Sequence, residues 1–270
     1  MSLAELQLER LVRGLRASLG ANLAGAYLHG SLAMDAFDPA HSDIDVLVVV
    51  HRGLTPSMRS ALSELLLTVS AAPYPIELSV LTVADASRLR HPVPYELHYS
   101  EMHRPAYQQG QPERKQRNDA GDADLVAHVF ATRRRGRALA GPPAASLFPM
   151  PRRAAVADAL LRDLAWARAA LAAAGSAGMA RYAALNAARA LAWAQDDVML
   201  SKREGAEQAS RYVDARWLHV IESAAHDHST DPAELEALLE LAVLQLGAVQ
   251  DAATRPATMS STTDVRMRLG

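Results

Sequence analysis

Asp43 and Asp45 stand two residues apart at the head of the apolar run Val46-Leu-Val-Val-Val50. In an extended strand, side chains two apart point to one face, so these carboxylates can converge on one site. Glu77 lies in Ile76-Glu-Leu-Ser-Val-Leu81, where Ile76, Leu78 and Val80 alternate with the polar pair Glu77 and Ser79. Three carboxylates on neighbouring strands make an all-oxygen cluster that suits Mg²⁺, and without a cation their crowding costs repulsion. Gly30-Ser31 follows the short apolar run Ala24-Gly-Ala-Tyr-Leu-His29. A glycine there lets backbone N–H groups approach a phosphate, and the serine hydroxyl adds a donor. The predicted chemistry sets a phosphate and a divalent cation side by side. Asp-x-Asp in isolation is more often a polar strand end. The combination is far more specific: a strand, Gly-Ser, Ser42-Asp-x-Asp entering a second strand, and a carboxylate within the third.

The elements that must hold these residues can be read from periodicity. Leu3, Leu6, Leu11, Leu15 and Leu19 predict an amphipathic first helix ending near Gly20. A strand follows over 24–29, then a polar connection through Asp38-Pro39, then a buried strand over 42–50. Thr55-Pro56 starts a helix whose face is Met58, Leu62, Leu65, Leu66 and Val69, stopped by Pro73 and Pro75. The stretch 91–124 reads as irregular structure with few core residues, and 125–139 as a helix with four arginines near its C-terminal end. Beyond Leu147-Phe-Pro-Met-Pro151 the composition becomes alanine-rich and helical, with helices expected over 153–174, 181–199, 202–215, 216–227 and 231–251. The predicted fold class is α+β: a mixed-sheet domain over 1–148, an all-α domain over 149–253, and a disordered polar tail over 254–270.

Composition narrows the possibilities. At 270 residues the chain is long enough for two domains with ample cores. It has no cysteine, which excludes disulfide frameworks, thiolate zinc sites and cysteine nucleophiles, and a cytoplasmic location is expected. A formal charge of −2 gives no global positive field for nucleic acid, and the run Arg133 to Arg137 reads as a solvated helix end. No membrane span is expected, because charges such as Arg162, Asp163, Arg168, Arg181 and Arg189 interrupt the alanine-rich stretch. The N-terminus reads as mature helix rather than a leader. His226-Asp-His228, His91, His98 and His103 lack the spacing of a zinc site, and Gly-x-Ser-x-Gly is absent.

Leu28-His-Gly-Ser31 followed by Ser42-Asp-Ile-Asp-Val-Leu-Val48 resembles the signature of the nucleotidyltransferase superfamily with the DNA polymerase β type fold. More narrowly, the chain is similar to the aminoglycoside adenylyltransferases that modify streptomycin and spectinomycin. The likeness continues in Leu139-Ala-Gly-Pro142, Leu147-Phe148, Leu185-Asn-Ala-Ala-Arg189 and Ser201-Lys-Arg-Glu-Gly205. The resemblance implies transfer of AMP from ATP to a hydroxyl of a small molecule, with pyrophosphate leaving. It implies that Asp43, Asp45 and Glu77 bind Mg²⁺ and that Glu77 is the general base. It further implies that Gly30, Ser31 and Ser42 cradle phosphates while Arg189 and Lys202 reach the nucleotide from the helical domain. A monomer acting in an interdomain cleft is expected.

The acceptor side departs from that family. Tyr99-Ser-Glu-Met102 has methionine where the family carries an acceptor-packing tryptophan, and Gly175-Ser-Ala-Gly-Met-Ala180 lacks its acidic residues. The acceptor-binding residues are therefore unassigned, with Glu96, Glu101, Asp119, Asp196 and Asp197 as candidates for the missing acidity. Two alternatives remain open: the same chemistry on a non-aminoglycoside metabolite or a protein, and a nucleotide-binding regulator without turnover.

Overall fold

A computed structural model describes residues 2–110, 117–226 and 228–254. Strands β1 (Leu23–His29), β2 (Ile44–Val50) and β3 (Ile76–Thr82) form the middle of a sheet, with β5 (Leu97–Tyr99) and β7 (Arg137–Ala140) at its edges, in the order β5-β3-β2-β1-β7. β2 and β3 are parallel and the other pairs antiparallel, so the sheet is mixed. A second small sheet pairs β4 (Val93–Tyr95) with β6 (Asn118–Asp122).

The period-two pattern decides which face is which. Ile44, Val46 and Val48 of β2 with Ile76, Leu78 and Val80 of β3 pack under helices α1 (Leu3–Leu19) and α3 (Pro56–Val69). Both helices begin as their sequences dictate: Ser2 Oγ accepts from Glu5 N, and Thr55 Oγ1 accepts from Met58 N with Pro56 in the first turn. Each buried leucine on these helices, such as Leu11, Leu15, Leu62 and Leu66, contributes about 1.5–3 kcal/mol. The opposite face carries Tyr27, Leu47, Val49 and Leu81. It packs against α6 (Leu125–Arg135), α8 (Arg153–Ala174) packs on α6, and α9 (Ala177–Asp196), α11 (Ala215–Ala225) and α12 (Pro232–Thr254) continue the same core beyond α8. Ala183, Ala184, Ala187 and Ala188 of α9 are buried there, because small side chains let backbones approach closely. Phe148 is fully buried with its ring edge-on to Tyr27 at 5.5 Å, so the core is continuous across the point where composition changes.

Several expectations shift. The strand expected from residue 42 begins at Ile44, because the Ser42 backbone and hydroxyl are taken up by Asp38 in the preceding turn. The helix expected to reach Leu139 ends at Arg135, and the next residues become β7, which covers the otherwise open edge of β1. Gly136 makes that exit possible: a Cβ there would lie 2.5 Å from Thr132 O and 3.0 Å from Leu28 O. The segment 91–124 does consist of short elements, but it is not poor in core, since Val93, Leu97, Tyr99 and Tyr107 are buried. Three-residue strands are too short to show a period. The helix expected over 202–215 breaks into α10 (Lys202–Glu207) and a single turn at Ala209–Arg211. Residues 255–270 of the expected tail lie outside the described residues.

Glu96 anchors this region. It is only 2% exposed and accepts hydrogen bonds from Leu54 N, Arg59 and Arg117, the last of which also pairs with Asp85. Glu96→Ala leaves Leu54 N without its acceptor and the Arg59 guanidinium without its carboxylate, while Arg117 keeps Asp85, so it is expected to cost about 3–5 kcal/mol. Urea unfolding checks this, and a loss below about 1 kcal/mol would contradict the assignment.

Candidate active site

The strand register builds the site. His29 of β1 is opposite Asp45 of β2, and Asp45 is opposite Glu77 of β3. Three ionisable side chains therefore form one row across three strands, on the face that also carries Tyr27 and Leu47. Asp43 lies just before β2 and lines the same cavity. At the end of β1 the chain turns through Gly30, whose φ is +64°, into the single helical turn α2 (Gly30–Ala33). A Cβ on Gly30 would sit 1.7 Å from Asp45 Oδ2, so glycine is required both by its conformation and by the carboxylate beside it.

Helix α6 closes over this row. Asp124, at its N-cap, and His128, one turn later, point to the carboxylates: His128 Nε2 is 3.1 Å from Asp124 Oδ2, and Nδ1 is 4.0 Å from Glu77 Oε1. The His128 ring centroid lies 4.9 Å from that of His29. From the other side come Asp163 of α8, Tyr182 and Arg189 of α9, and Lys202 at the start of α10. The cavity between these walls measures about 1480 Å³.

Of the residues predicted from sequence, Gly30, Ser31, Ser42, Asp43, Asp45, Glu77, Arg189 and Lys202 all line this cavity. Arg189 is also part of its scaffold: Nε donates to Leu200 O at 2.9 Å and Nη1 to Asn186 Oδ1 at 3.0 Å. The five carboxylates expected to supply acceptor acidity do not line it. Glu96 and Asp119 are held by Arg117, Glu101 by Arg104 and Tyr99, Asp196 by Tyr212, and Asp197 by Arg134 and Arg153. Met102 is 79% exposed and outside the cavity. The acidity of the cleft comes instead from Asp124, Asp163, Glu207 and Glu222, besides the three carboxylates already named and Asp38. Sequence reasoning passed over Asp124 and His128. Their signal was an Asp-x-x-x-His spacing at a helix start, which places both on one face.

Burial, and then the neighbouring Glu77, push the Asp45 carboxyl up to about 8. Burial raises Glu77 as well, against the opposing pull of His128, and raises Asp43 against that of Lys202. Burial opposes the charge on His128, but Asp124, Glu77 and Asp45 outweigh it and lift the imidazole to about 10. His29 is driven the other way, by burial and by His128. Desolvation in the cleft, reinforced by Arg189, lowers Lys202 to about 8.

These carboxylates fit a hard divalent cation, since the strain that raises them is relieved by positive charge and all their donors are oxygens. Among the described residues no three acidic or imidazole side chains close on one point as a preformed metal cage. Mg²⁺ takes one or two carboxylates and completes its shell with water and phosphate oxygens.

The shifts set a pH dependence. Folded Asp45 keeps its proton to about pH 8, and folded His128 to about pH 10. Unfolded Asp and His release theirs near about 4 and about 6.5. The folded state binds more protons in both windows, so stability falls as pH rises through them. The depressed carboxylates Asp124 and Asp85 titrate below this range. The melting temperature of the metal-free protein is therefore expected to drop between about pH 6 and about pH 8, above which the depressed Lys202 opposes the fall, with Mg²⁺ flattening it. A melting temperature that rises over this range would contradict the placement.

Residues 146–246 match the family model described as aminoglycoside adenylyltransferase, C-terminal domain. Over those residues the chain is similar to the C-terminal domain of the aminoglycoside adenylyltransferases. A spectinomycin 9-adenylyltransferase of Staphylococcus aureus is 30% identical over 134 residues, 47% of this chain and 50% of that protein. An aminoglycoside (3'') (9) adenylyltransferase of Klebsiella pneumoniae is 33% identical over 161 residues, 54% of this chain and 56% of that protein. The chain thus spans about half the length of the curated relatives it matches. Its fold is shared with a crystal structure of spectinomycin adenyltransferase AAD(9) from Enterococcus faecialis with ATP and spectinomycin. That match has a TM-score of 0.71 at 19% identity and covers 90% of this chain and 99% of that one. It bears out the α+β expectation of a mixed-sheet part followed by a helical part. Among the described residues no helix is long and apolar enough to cross a membrane.

Proposed function

We propose that this protein transfers AMP from ATP to a hydroxyl of a small, amine-bearing acceptor of the aminoglycoside class, in the cleft between the sheet and the helices. The observation that carries the reading is the row Asp45 and Glu77 beside Gly30, with Asp43 at the strand entry, opening on a large cavity whose far wall holds Arg189 and Lys202. Residues 1–148 then supply the metal ligands and base, and residues 149–253 the cations that meet the nucleotide. Asp43, Asp45 and Glu77 would hold Mg²⁺, which when bound neutralises charge on the triphosphate.

In the proposed reaction Gly30 N–H, Ser31 and Ser42 seat the phosphate oxygens, and Arg189 and Lys202 balance their charge. The acceptor hydroxyl attacks the α-phosphorus as the bond to the bridging oxygen of pyrophosphate breaks. Glu77 takes the hydroxyl proton. Its raised affinity for a proton suits a base that works near neutrality. The acidic cleft residues Asp124, Glu207 and Glu222 give a cationic acceptor complementary charge, which the altered positions at 102 and 175–180 do not.

Incubating the protein with Mg²⁺, ATP and a panel including spectinomycin and streptomycin, followed by mass spectrometry, tests the reading. The expected product is the acceptor plus one AMP, with one pyrophosphate released. Absence of any adduct on the panel, with adducts formed only on components of a cell extract, would move the acceptor outside this class.

A further inference from the structure

Lys202 is fixed in backbone but not, by any ion pair, in side chain. Ser201 caps α10 through a reciprocal pair of hydrogen bonds with Glu204, and Glu204 is held in turn by Arg135 of α6 at 3.1 Å. This ties the Lys202 backbone to α6. Among the described residues no carboxylate lies within ion-pairing distance of its ammonium group. The contact that locates Nζ is the ring of Tyr182, 4.3 Å away at the centroid. That ring is itself held from two directions. Its hydroxyl donates to Asp163 Oδ1 at 2.5 Å, and the Trp166 ring meets it edge-on at 5.4 Å.

Resting on the nucleotide reading above, we propose that Tyr182, anchored by Asp163, is a positioning residue that seats the Lys202 ammonium in the cleft for the nucleotide phosphates. Three elements, α8, α9 and α10, contribute one residue each to the stack. A four-carbon lysine stem otherwise samples many rotamers, and each one frozen on binding costs affinity. A ring that already holds the ammonium removes that cost in advance. A phenol donating to a carboxylate is also more electron-rich than a free ring, which strengthens its hold on a cation. A ring is better suited than a carboxylate for this task. An anion close enough to fix the lysine would compete with the phosphates, whereas a π face attracts the cation and adds no full negative charge beside them.

The chain offers a clean readout, because its only lysines are Lys115 and Lys202. In protein with isotope-labelled lysine, one side-chain methylene signal is expected upfield of the free-lysine position through the ring current of Tyr182. Lys202→Met should remove it, Tyr182→Leu return it to the free-lysine position, and Tyr182→Phe, which keeps the ring but loses the hydroxyl that Asp163 holds, shrink it. Calorimetry with Mg·ATP is expected to show affinity about 3- to 30-fold weaker in Tyr182→Leu and weakened by a smaller factor in Tyr182→Phe. In a Lys202→Met background Tyr182→Leu should add little. If Tyr182→Leu does not fold, Asp163→Asn, which keeps shape and loses the charge on the anchor, should shrink the shift and weaken Mg·ATP only when Lys202 is present. An unshifted lysine signal in wild type overturns the proposal, as does a Tyr182→Leu effect of equal size with and without Lys202. Wild-type protein that binds no Mg·ATP overturns the nucleotide reading and this role with it, whereas additive variants in a protein that does bind overturn the role alone.

Discussion

Glu77→Gln is expected to lower the turnover of AMP transfer by about 10²- to 10⁴-fold while leaving Mg·ATP binding within a few-fold of wild type. Glutamine has the same shape and keeps an oxygen towards the cleft, but it cannot accept the acceptor's proton. Glu77 is on the strand face directly beside Asp45 and 4.0 Å from His128, so its carboxylate is held by its surroundings. The substitution also removes the group that, after burial, does most to raise Asp45. The metal-free variant should therefore lose less stability with rising pH than wild type, a second readout separate from catalysis. Pyrophosphate release, measured with acceptor present, decides the matter. Turnover within tenfold of wild type would remove Glu77 as base and shift attention to Asp124 and His128.

Gly30→Ala should be the more destructive change, although it adds one methyl group. The new Cβ would overlap Asp45 Oδ2, at 1.7 Å, in a backbone conformation with φ at +64° that an L side chain rarely adopts. Either the turn leading into α2 moves, carrying Gly30 N–H and Ser31 away from the phosphates, or Asp45 swings out of its row. Activity is expected to fall more than about 100-fold by either route, because catalysis by positioning tolerates little displacement. Stability should fall by about 1–3 kcal/mol from the backbone strain. Parallel thermal melts and Mg·ATP calorimetry distinguish a displaced site from an unfolded chain. A Gly30→Ala protein with wild-type turnover would show that the close approach of this turn to Asp45 is not part of the working site.

The residues that bear the proposed chemistry were legible from short-range pattern. Asp45 and Glu77 sit in strands and Asp43 just before one, and strand geometry puts Asp45 and Glu77 on the face opposite Ile44, Ile76 and Leu78. Gly30-Ser31 was legible for a similar local reason, since only a glycine allows that turn. The long helices α1, α3, α8 and α12 follow from apolar spacing and composition. Local pattern is weak where an element owes its existence to a distant partner. β7 is a strand because β1 has an open edge, and β5 because β3 does, although neither segment has the length to show a period.

The same distinction separates the two halves of the site. Local sequence carries the carboxylate row, because strand geometry alone brings its members together. Tertiary packing alone placed Asp124 and His128 over that row, stacked Lys202 on Tyr182, and tied up the five carboxylates first considered for the acceptor. Whether a charged side chain faces a cleft or an arginine depends on helices far apart in the chain, and no spacing encodes that choice. The nearly neutral net charge of −2 is a sum over the whole chain. Only the fold sorted its terms, pairing arginines such as Arg59, Arg104, Arg117, Arg134 and Arg153 with carboxylates outside the cleft and leaving acidity inside it.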